Sequence, residues 1–129
     1  MKMKTSTLEG AALDWAVAQC EGYKNIHIHQ PAMRACAPYV IVMQRDEPVD
    51  WMPSLRWDQG GPIAEDNSIG TMHRWNNGWA ALMTGPLGIF HDRSYPDEIV
   101  GPTPLIAAMR CYVASKLGEE VDVPEEAIK

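Results

Sequence analysis

Clusters of positive charge are missing from this 129-residue chain. Its 11 Lys and Arg residues are scattered among 17 Asp and Glu residues, and the formal net charge is -6. Because non-specific binding to nucleic acid needs clustered cations that displace counterions from phosphates, we expect no direct nucleic-acid binding. One or two arginines and a few backbone N–H groups would still suffice for a small phosphorylated ligand.

Cysteine and long apolar runs are also scarce. Cys20, Cys36 and Cys111 form an odd set without a Cys-x-x-Cys pair, which argues against a disulfide framework and a cysteine zinc site. No apolar run approaches the roughly eighteen residues that a membrane span requires, and residues 1–7 do not resemble an apolar signal segment. We therefore expect a protein of a reducing cytosol that has no membrane partner.

Familiar catalytic motifs are absent from the sequence. No Gly-x-Ser-x-Gly, P-loop or His-Glu-x-x-His sequence occurs, and Ser54 lacks the local signature of an activated nucleophile. His27 and His29 alternate as on a strand and could chelate a metal with Cys36 or His73, but strand histidines need no metal to explain them. We predict no metal and no cofactor. An enzyme whose site is built from residues distant in sequence stays open.

Capping signals and apolar spacing predict a first helix over residues 7–21. Ser6-Thr7-Leu8-Glu9 matches the capping box, and Gly22 is placed to end the helix in a left-handed conformation. Apolar residues recur at three- and four-residue steps. Trp15 lies on that apolar face, so we expect it in the core.

A second helix is predicted over residues 104–117. Thr103 supplies a capping hydroxyl before a proline at the first helical position, and Gly118 is the expected stop. Apolar side chains from Leu105 to Leu117 recur at helical spacing and predict one buried face.

Period-two alternation and β-branched runs predict the strands. The strongest local prediction is a hairpin in which residues 68–75 and 79–84 flank Asn76-Asn77-Gly78, with Trp75 and Trp79 paired across the strands. Further strands are expected over 26–29, 39–43 and 121–123, and loops over 45–53 and 85–102.

Together these elements predict one α+β domain over residues 1–129. Two helices would pack on a small, mainly antiparallel sheet that contains the Asn-Gly hairpin. Small size and five tryptophans favour a homodimer or higher homo-oligomer, because pairing would cover apolar surface that one core cannot.

Three separated segments carry a resemblance to a known family. They are Lys4-Thr-Ser-x-Leu-x-Gly-x-Ala-Leu-Asp-Trp-Ala-Val-Ala18, Trp57-x-Gln-Gly-Gly-Pro-Ile63 and Gly101-Pro-Thr-Pro-Leu-Ile-Ala-Ala-Met-Arg-Cys-Tyr-Val-Ala-Ser-Lys-Leu-Gly118. In this order they resemble the NinX-like family of small phage and prophage proteins. The resemblance implies a phage accessory protein made in the host cytoplasm and indicates no reaction.

The first candidate site is the segment from Trp51 to Glu65, which Pro and Gly residues predict to be a shaped loop. Trp51 or Trp57 could stack on a planar ring, and the adjacent glycines Gly60 and Gly61 would let backbone N–H groups approach a ligand. Two further members complete this set: Gln59 could recognise the edge of the ring and Arg56 could hold a phosphate. Alternatively, the tryptophans fill the core and the glycines make a turn.

The second candidate site is the start of the second helix. Unpaired N–H groups and the helix dipole near Thr103 favour an anion, although capping alone also explains this residue. Arg110 would serve the same anion only if it faced the same cleft. A surface salt bridge is the alternative expectation for Arg110.

These features lead to three functional hypotheses. The leading one is a binder that sequesters a small nucleotide-like host molecule, such as a defence signal, without turnover. The alternative is a protein–protein interaction module that inhibits or adapts a host or phage protein. The third is a hydrolase of a small phosphorylated substrate, which needs a histidine and carboxylates that converge near the loop, for example His73 with Asp58 or Glu65. A concave pocket beside the tryptophans would favour the ligand, and a flat aromatic patch would favour the protein partner.

Overall fold

The computed structural model describes residues 1–33, 35–74, 78–83 and 99–128. Within these ranges the chain forms three α-helices, eight short strands and two single-turn 3-10 helices, at Thr5–Thr7 and Glu125–Ala127. The α-helices are α1 (Gly10–Cys20), α2 (Trp57–Asp66) and α3 (Pro104–Leu117). The strands are β1 (Lys2–Lys4), β2 (His27–His29), β3 (Tyr39–Gln44), β4 (Glu47–Trp51), β5 (Ile69–Arg74), β6 (Gly78–Met83), β7 (Ile99–Gly101) and β8 (Glu120–Asp122). The α+β class is confirmed, with one helix more than predicted.

Helix α3 lies at the centre of the core. Every residue from Leu105 to Val113 is buried, so this stretch has no polar face. It contacts α1, α2 and the sheet formed by β5, β6 and β7. The predicted bounds and cap are confirmed, since the Thr103 side chain accepts a hydrogen bond from the Ile106 N–H at 3.1 Å. Leu117 was expected on the buried face, but it is exposed because the last turn extends past the core.

Helix α1 begins later than predicted. Its N-cap is Glu9, which makes no side-chain capping bond, so the prediction of a capping box at 6–9 is wrong. The chain is held elsewhere, because the Thr5 hydroxyl donates to the Gly118 carbonyl oxygen at 2.6 Å and fixes a 3-10 turn before the helix. Trp15 is partly buried against the core.

The end of α1 follows the prediction. Gly22 has φ +83°, and its N–H donates to the Gln19 carbonyl while the Tyr23 N–H donates to the Ala18 carbonyl, each at 3.1 Å. This pair of bonds is a Schellman motif. It reverses the chain and places Tyr23 directly after the helix.

All the strand pairs are antiparallel within the described residues. They form sheets in the orders β1-β8, β2-β3-β4 and β5-β6-β7. The predicted strands at 26–29, 39–43 and 121–123 are confirmed. The loop predicted over 45–53 is wrong, because most of it is β4. Arg45 and Asp46 have φ of +50° and +64°, which allows a two-residue turn without glycine between β3 and β4.

The predicted pairing on either side of the Asn-Gly step is present as β5 and β6. Their register runs from Ile69 opposite Met83 to Arg74 opposite Gly78. Trp79 lies opposite His73, and the two rings make an edge contact at 5.1 Å. The turn residues 75–77, and with them the expected Trp75 contact, lie outside the described residues. Residues 85–98 of the predicted loop also lie outside the described residues, and β7 occupies the end of that loop.

A buried carboxyl group connects α1 to the segment before α2. Asp14 is 2% exposed, and its Oδ1 accepts a hydrogen bond from the Ser54 N–H at 2.9 Å. Burial raises the pKa of Asp14 to about 7, and hydrogen bonds from Ser54 oppose part of that rise.

We predict that this carboxyl group makes stability depend on pH. The unfolded Asp14 ionises near its ordinary pKa of 3.8, whereas the folded one keeps its proton to about pH 7. The contribution of the protonated Asp14 carboxyl group to the free energy of unfolding is therefore fully present below about pH 4 and is lost as pH rises to about 7. Asp14→Asn keeps an oxygen acceptor and has no charge to bury. We expect urea denaturation to show a flatter pH profile for the variant, and a free energy of unfolding above wild type by roughly 1–3 kcal/mol near pH 8. An unchanged slope between pH 4 and 7 would contradict this assignment.

Close packing at Gly60 gives a second prediction. A Cβ at this position would overlap the Pro53 carbonyl oxygen and lie 2.7 Å from Leu105 Cδ1, whereas a Cβ at Gly61 would meet only Trp57 Cε3 at 3.7 Å. We expect Gly60→Ala to lower the free energy of unfolding by about 1–3 kcal/mol. Gly61→Ala is the matched control and should be neutral or add up to about 1 kcal/mol, because alanine favours the helix. Equal effects of the two changes in urea denaturation would refute the close packing.

Candidate functional site

A cleft of about 390 Å³ lies between the end of α1, the β3–β4 hairpin and α2. Its volume is in the range of small-molecule sites. Glu21 and Tyr23 line it from the end of α1, and Gln44, Val49 and Trp51 line it from the hairpin. The remaining lining residues are Arg56, Asp58, Gln59, Pro62, Ile63 and Asp66.

Two aromatic rings form one wall of the cleft. Trp51 is 4% exposed, and its ring meets Tyr23 edge-on with centroids 5.2 Å apart. The Tyr23 hydroxyl accepts a hydrogen bond from Gln44 Nε2 at 2.8 Å, which fixes the phenol against the hairpin. The Trp51 Nε1–H is buried and has no acceptor among the described residues. Such a donor costs about 1–3 kcal/mol unless a partner reaches it.

Gln59 holds together the turn that leads from β4 into α2. Its Oε1 accepts from the Met52 N–H at 2.6 Å, and its Nε2 donates to the Asp50 carbonyl at 2.8 Å. The side chain therefore shapes the cleft. A ligand can use only the hydrogen-bonding capacity that these two bonds leave, one amide hydrogen and one oxygen lone pair.

The charges of the lining are mostly negative. Glu21, Asp58 and Asp66 supply three carboxylates, and Arg56 supplies the single guanidinium of the lining. Arg56 is paired with Asp58 through two bonds, Nε to Oδ1 at 3.2 Å and Nη2 to Oδ2 at 2.9 Å. Both side chains are about half exposed or more, so this pair lies at the edge of the cleft and contributes little to stability.

The prediction that residues 51–65 form a loop is wrong for most of the segment, because α2 spans Trp57–Asp66. Trp51, Arg56 and Gln59 line the cleft, whereas Trp57 is 58% exposed and lies outside the lining. Gly60 donates its N–H to the Arg56 carbonyl at 2.8 Å as part of the helix, so that N–H is not free for a ligand.

The residues of the second predicted site also lie outside the lining of the cleft. Thr103 caps α3, as described above. Arg110 is buried, and its guanidinium donates to the Leu8 carbonyl at 2.7 Å and to the Val100 carbonyl at 2.9 Å. Burial lowers the pKa of Arg110, and Glu9 opposes this effect. The expected surface salt bridge is wrong, since Arg110 connects the segment before α1 to β7.

Asp58 lines the cleft, whereas the three cysteines and His73 lie outside its lining. Burial raises the pKa of the Cys20 and Cys111 thiols to about 11, so both are protonated at neutral pH. His73 packs on Trp79 and does not line the cleft. In the described part of the chain, no group of three His, Cys, Asp or Glu residues could hold a metal ion.

Several lining residues were missed by the sequence reasoning. Tyr23 and Glu21 follow a helix end that was predicted, but nothing local shows which side of the molecule they face. Gln44 and Val49 belong to a hairpin whose Arg-Asp turn lacks the usual glycine signal. Asp66 ends a helix that Gly-Gly-Pro concealed. The one usable signal was alternation within 47–51, which continues the pattern of β3.

Comparison with models of known protein families identifies a match. The family model described as Bacteriophage P22, NinX matches residues 4–116. No curated protein matches the chain. In the described ranges, no helix has the length and apolar character needed to cross a membrane. The match spans most of the chain and includes every residue that lines the cleft, so this chain belongs to the NinX family of bacteriophage P22.

Proposed function

We propose that this phage protein binds a small nucleotide-like host molecule in the cleft and sequesters it without turnover. The observation that carries the proposal is the cleft itself, which is concave and has the Trp51–Tyr23 pair as one wall. A host defence signal is the kind of molecule that a phage would benefit from sequestering.

The dimensions and chemistry of the cleft suit one ring system. A volume of about 390 Å³ accepts a nucleoside, and contact between a base and an aromatic side chain contributes about 1–3 kcal/mol. The polar groups of Gln44 and Gln59 stand beside the aromatic wall. Arg56 at the edge is the lining group that a single phosphate would meet.

Binding without turnover needs stacking and a few donors, and these are the groups that the cleft supplies. Hydrolysis would need a general acid and base placed around the same ligand. His73, the base named as an example in the third hypothesis, packs on Trp79 and does not belong to the lining of the cleft. The proposal therefore assigns binding to the cleft.

A thermal-shift screen tests the proposal. We expect at least one member of a panel of mononucleotides, cyclic nucleotides and ADP-ribose derivatives to stabilise the protein. A ligand at roughly a hundred times its Kd adds about 2.7 kcal/mol, which at this size raises Tm by several degrees. A panel that leaves Tm unchanged would contradict small-ligand binding.

A pair of matched variants locates the ligand. Trp51→Phe removes the buried indole N–H of a residue that lines the cleft, and Trp57→Phe makes the same change at a residue outside the lining. Because stacking on Phe persists, we expect calorimetry to show roughly tenfold weaker binding for Trp51→Phe and unchanged binding for Trp57→Phe. Equal losses in both variants would place the ligand elsewhere.

A second candidate function has its own observation. Leu55 and Trp57 are 65% and 58% exposed and lie two residues apart beside the cleft. Exposed tryptophans are enriched among residues that dominate protein interfaces. We propose protein binding through this pair as the alternative to ligand binding.

Affinity capture from host lysate distinguishes the alternative. We expect the double variant Leu55→Ala, Trp57→Ala to retain any specific partner at least tenfold less than wild type. Met33→Ala is the control, because Met33 is also exposed, at 69%, and lies in a different part of the chain. A partner that both variants retain equally well would rule out this surface.

A further inference from the structure

The charge of the cleft indicates which ligands it selects. Three carboxylates and one guanidinium line it, and the guanidinium already forms a two-bond pair with Asp58. Neither Glu21 nor Asp66 forms an ion pair within the described part of the chain. The Tyr112 hydroxyl donates to Glu21 at 2.7 Å, which orients this carboxylate and adds no positive charge.

A second observation points to a ligand independently of the charge. Trp51 lines the cleft and is only 4% exposed. Its buried indole N–H has no acceptor in the described residues. Buried donors in native proteins nearly always have partners. A ligand with an acceptor atom beside Trp51 would provide one.

These two observations favour a positively charged base at one end of a nucleotide and disfavour phosphates at the other end. Carboxylates repel a polyphosphate and attract a cation, and the aromatic wall of Trp51 and Tyr23 favours a positively charged ring through cation–π attraction. Phosphates would have to remain outside the cleft, near Arg56.

Resting on the proposed function, we infer that the cleft selects a nucleoside-like ligand with a positively charged base, and selects against polyphosphates. The selectivity comes from Glu21 and Asp66, and the acceptor on the ligand pairs with Trp51. A base that carries a positive charge because a pyridine-type ring nitrogen is methylated has this chemistry.

Calorimetric titration with three related compounds tests the inference. Adenosine and 1-methyladenosine share one ring system and differ by a methyl group and a positive charge at neutral pH, and ATP adds a polyphosphate. We expect 1-methyladenosine to bind about tenfold more tightly than adenosine at low salt, and ATP to bind more weakly than adenosine. Raising the salt concentration should shrink both differences.

Variants separate the charge from the extra methyl group. Asp66→Asn removes a carboxylate from the lining, and Glu65→Gln removes one from the neighbouring exposed position, which does not line the cleft. We expect Asp66→Asn to reduce the preference for 1-methyladenosine several-fold and Glu65→Gln to leave it unchanged.

The outcomes separate this inference from the proposed function. Adenosine binding as tightly as 1-methyladenosine, ATP binding more tightly than either, or a preference that survives both Asp66→Asn and high salt would overturn the charge selectivity while leaving ligand binding intact. Binding of none of the three compounds, together with a thermal-shift panel that leaves Tm unchanged, would overturn the proposed function as well.

Discussion

Burial of α3 on all sides from Leu105 to Val113 constrains how the elements around it pack. A helix without a polar face must be covered by neighbours all around, and here α1, α2 and the β5-β6-β7 sheet cover it. Each neighbour also makes a specific contact with it. Arg110 reaches out from α3 to the Leu8 and Val100 carbonyls, so one buried side chain fixes both the start of α1 and β7. Removing the guanidinium group of Arg110 would leave these two carbonyls without donors.

The walls of the cleft are positioned by the same helix. Leu105 of α3 packs where a side chain at Gly60 would lie, which sets the approach of α2. Tyr112 of α3 donates to Glu21, which sets the end of α1. Asp14 of α1 in turn holds the segment before α2 through Ser54. The cleft is thus a consequence of three elements fixed against one core, and its lining can remain polar because it lies beside that core.

Sequence reasoning succeeded where local chemistry decides the structure. The cap and bounds of α3, the Gly22 stop of α1 and the strands at 27–29 and 39–44 follow from capping, positive φ and β-branched spacing. It failed where tertiary packing outweighs local preference. The residues Gly60, Gly61 and Pro62 disfavour a helix by themselves, yet they belong to α2. Packing against α3 stabilises this helix, and the close approach leaves no room for a side chain at Gly60. Sequence reasoning named Trp51, Arg56 and Gln59, which line the cleft, because of the chemistry of their side chains. The cleft that joins them with Tyr23 and Asp66 depends on distant contacts that no local pattern encodes.

The central claim is that a small ligand occupies the cleft next to Trp51. The most direct test is to record the indole N–H resonances of the five tryptophans by NMR during titration with the compound that gives the largest thermal shift. The account predicts that the Trp51 resonance moves most, because a ligand acceptor pairs with its N–H, while the resonances of Trp57 and Trp79 stay in place. A shift confined to Trp57, or no shift at any of the five, would contradict it.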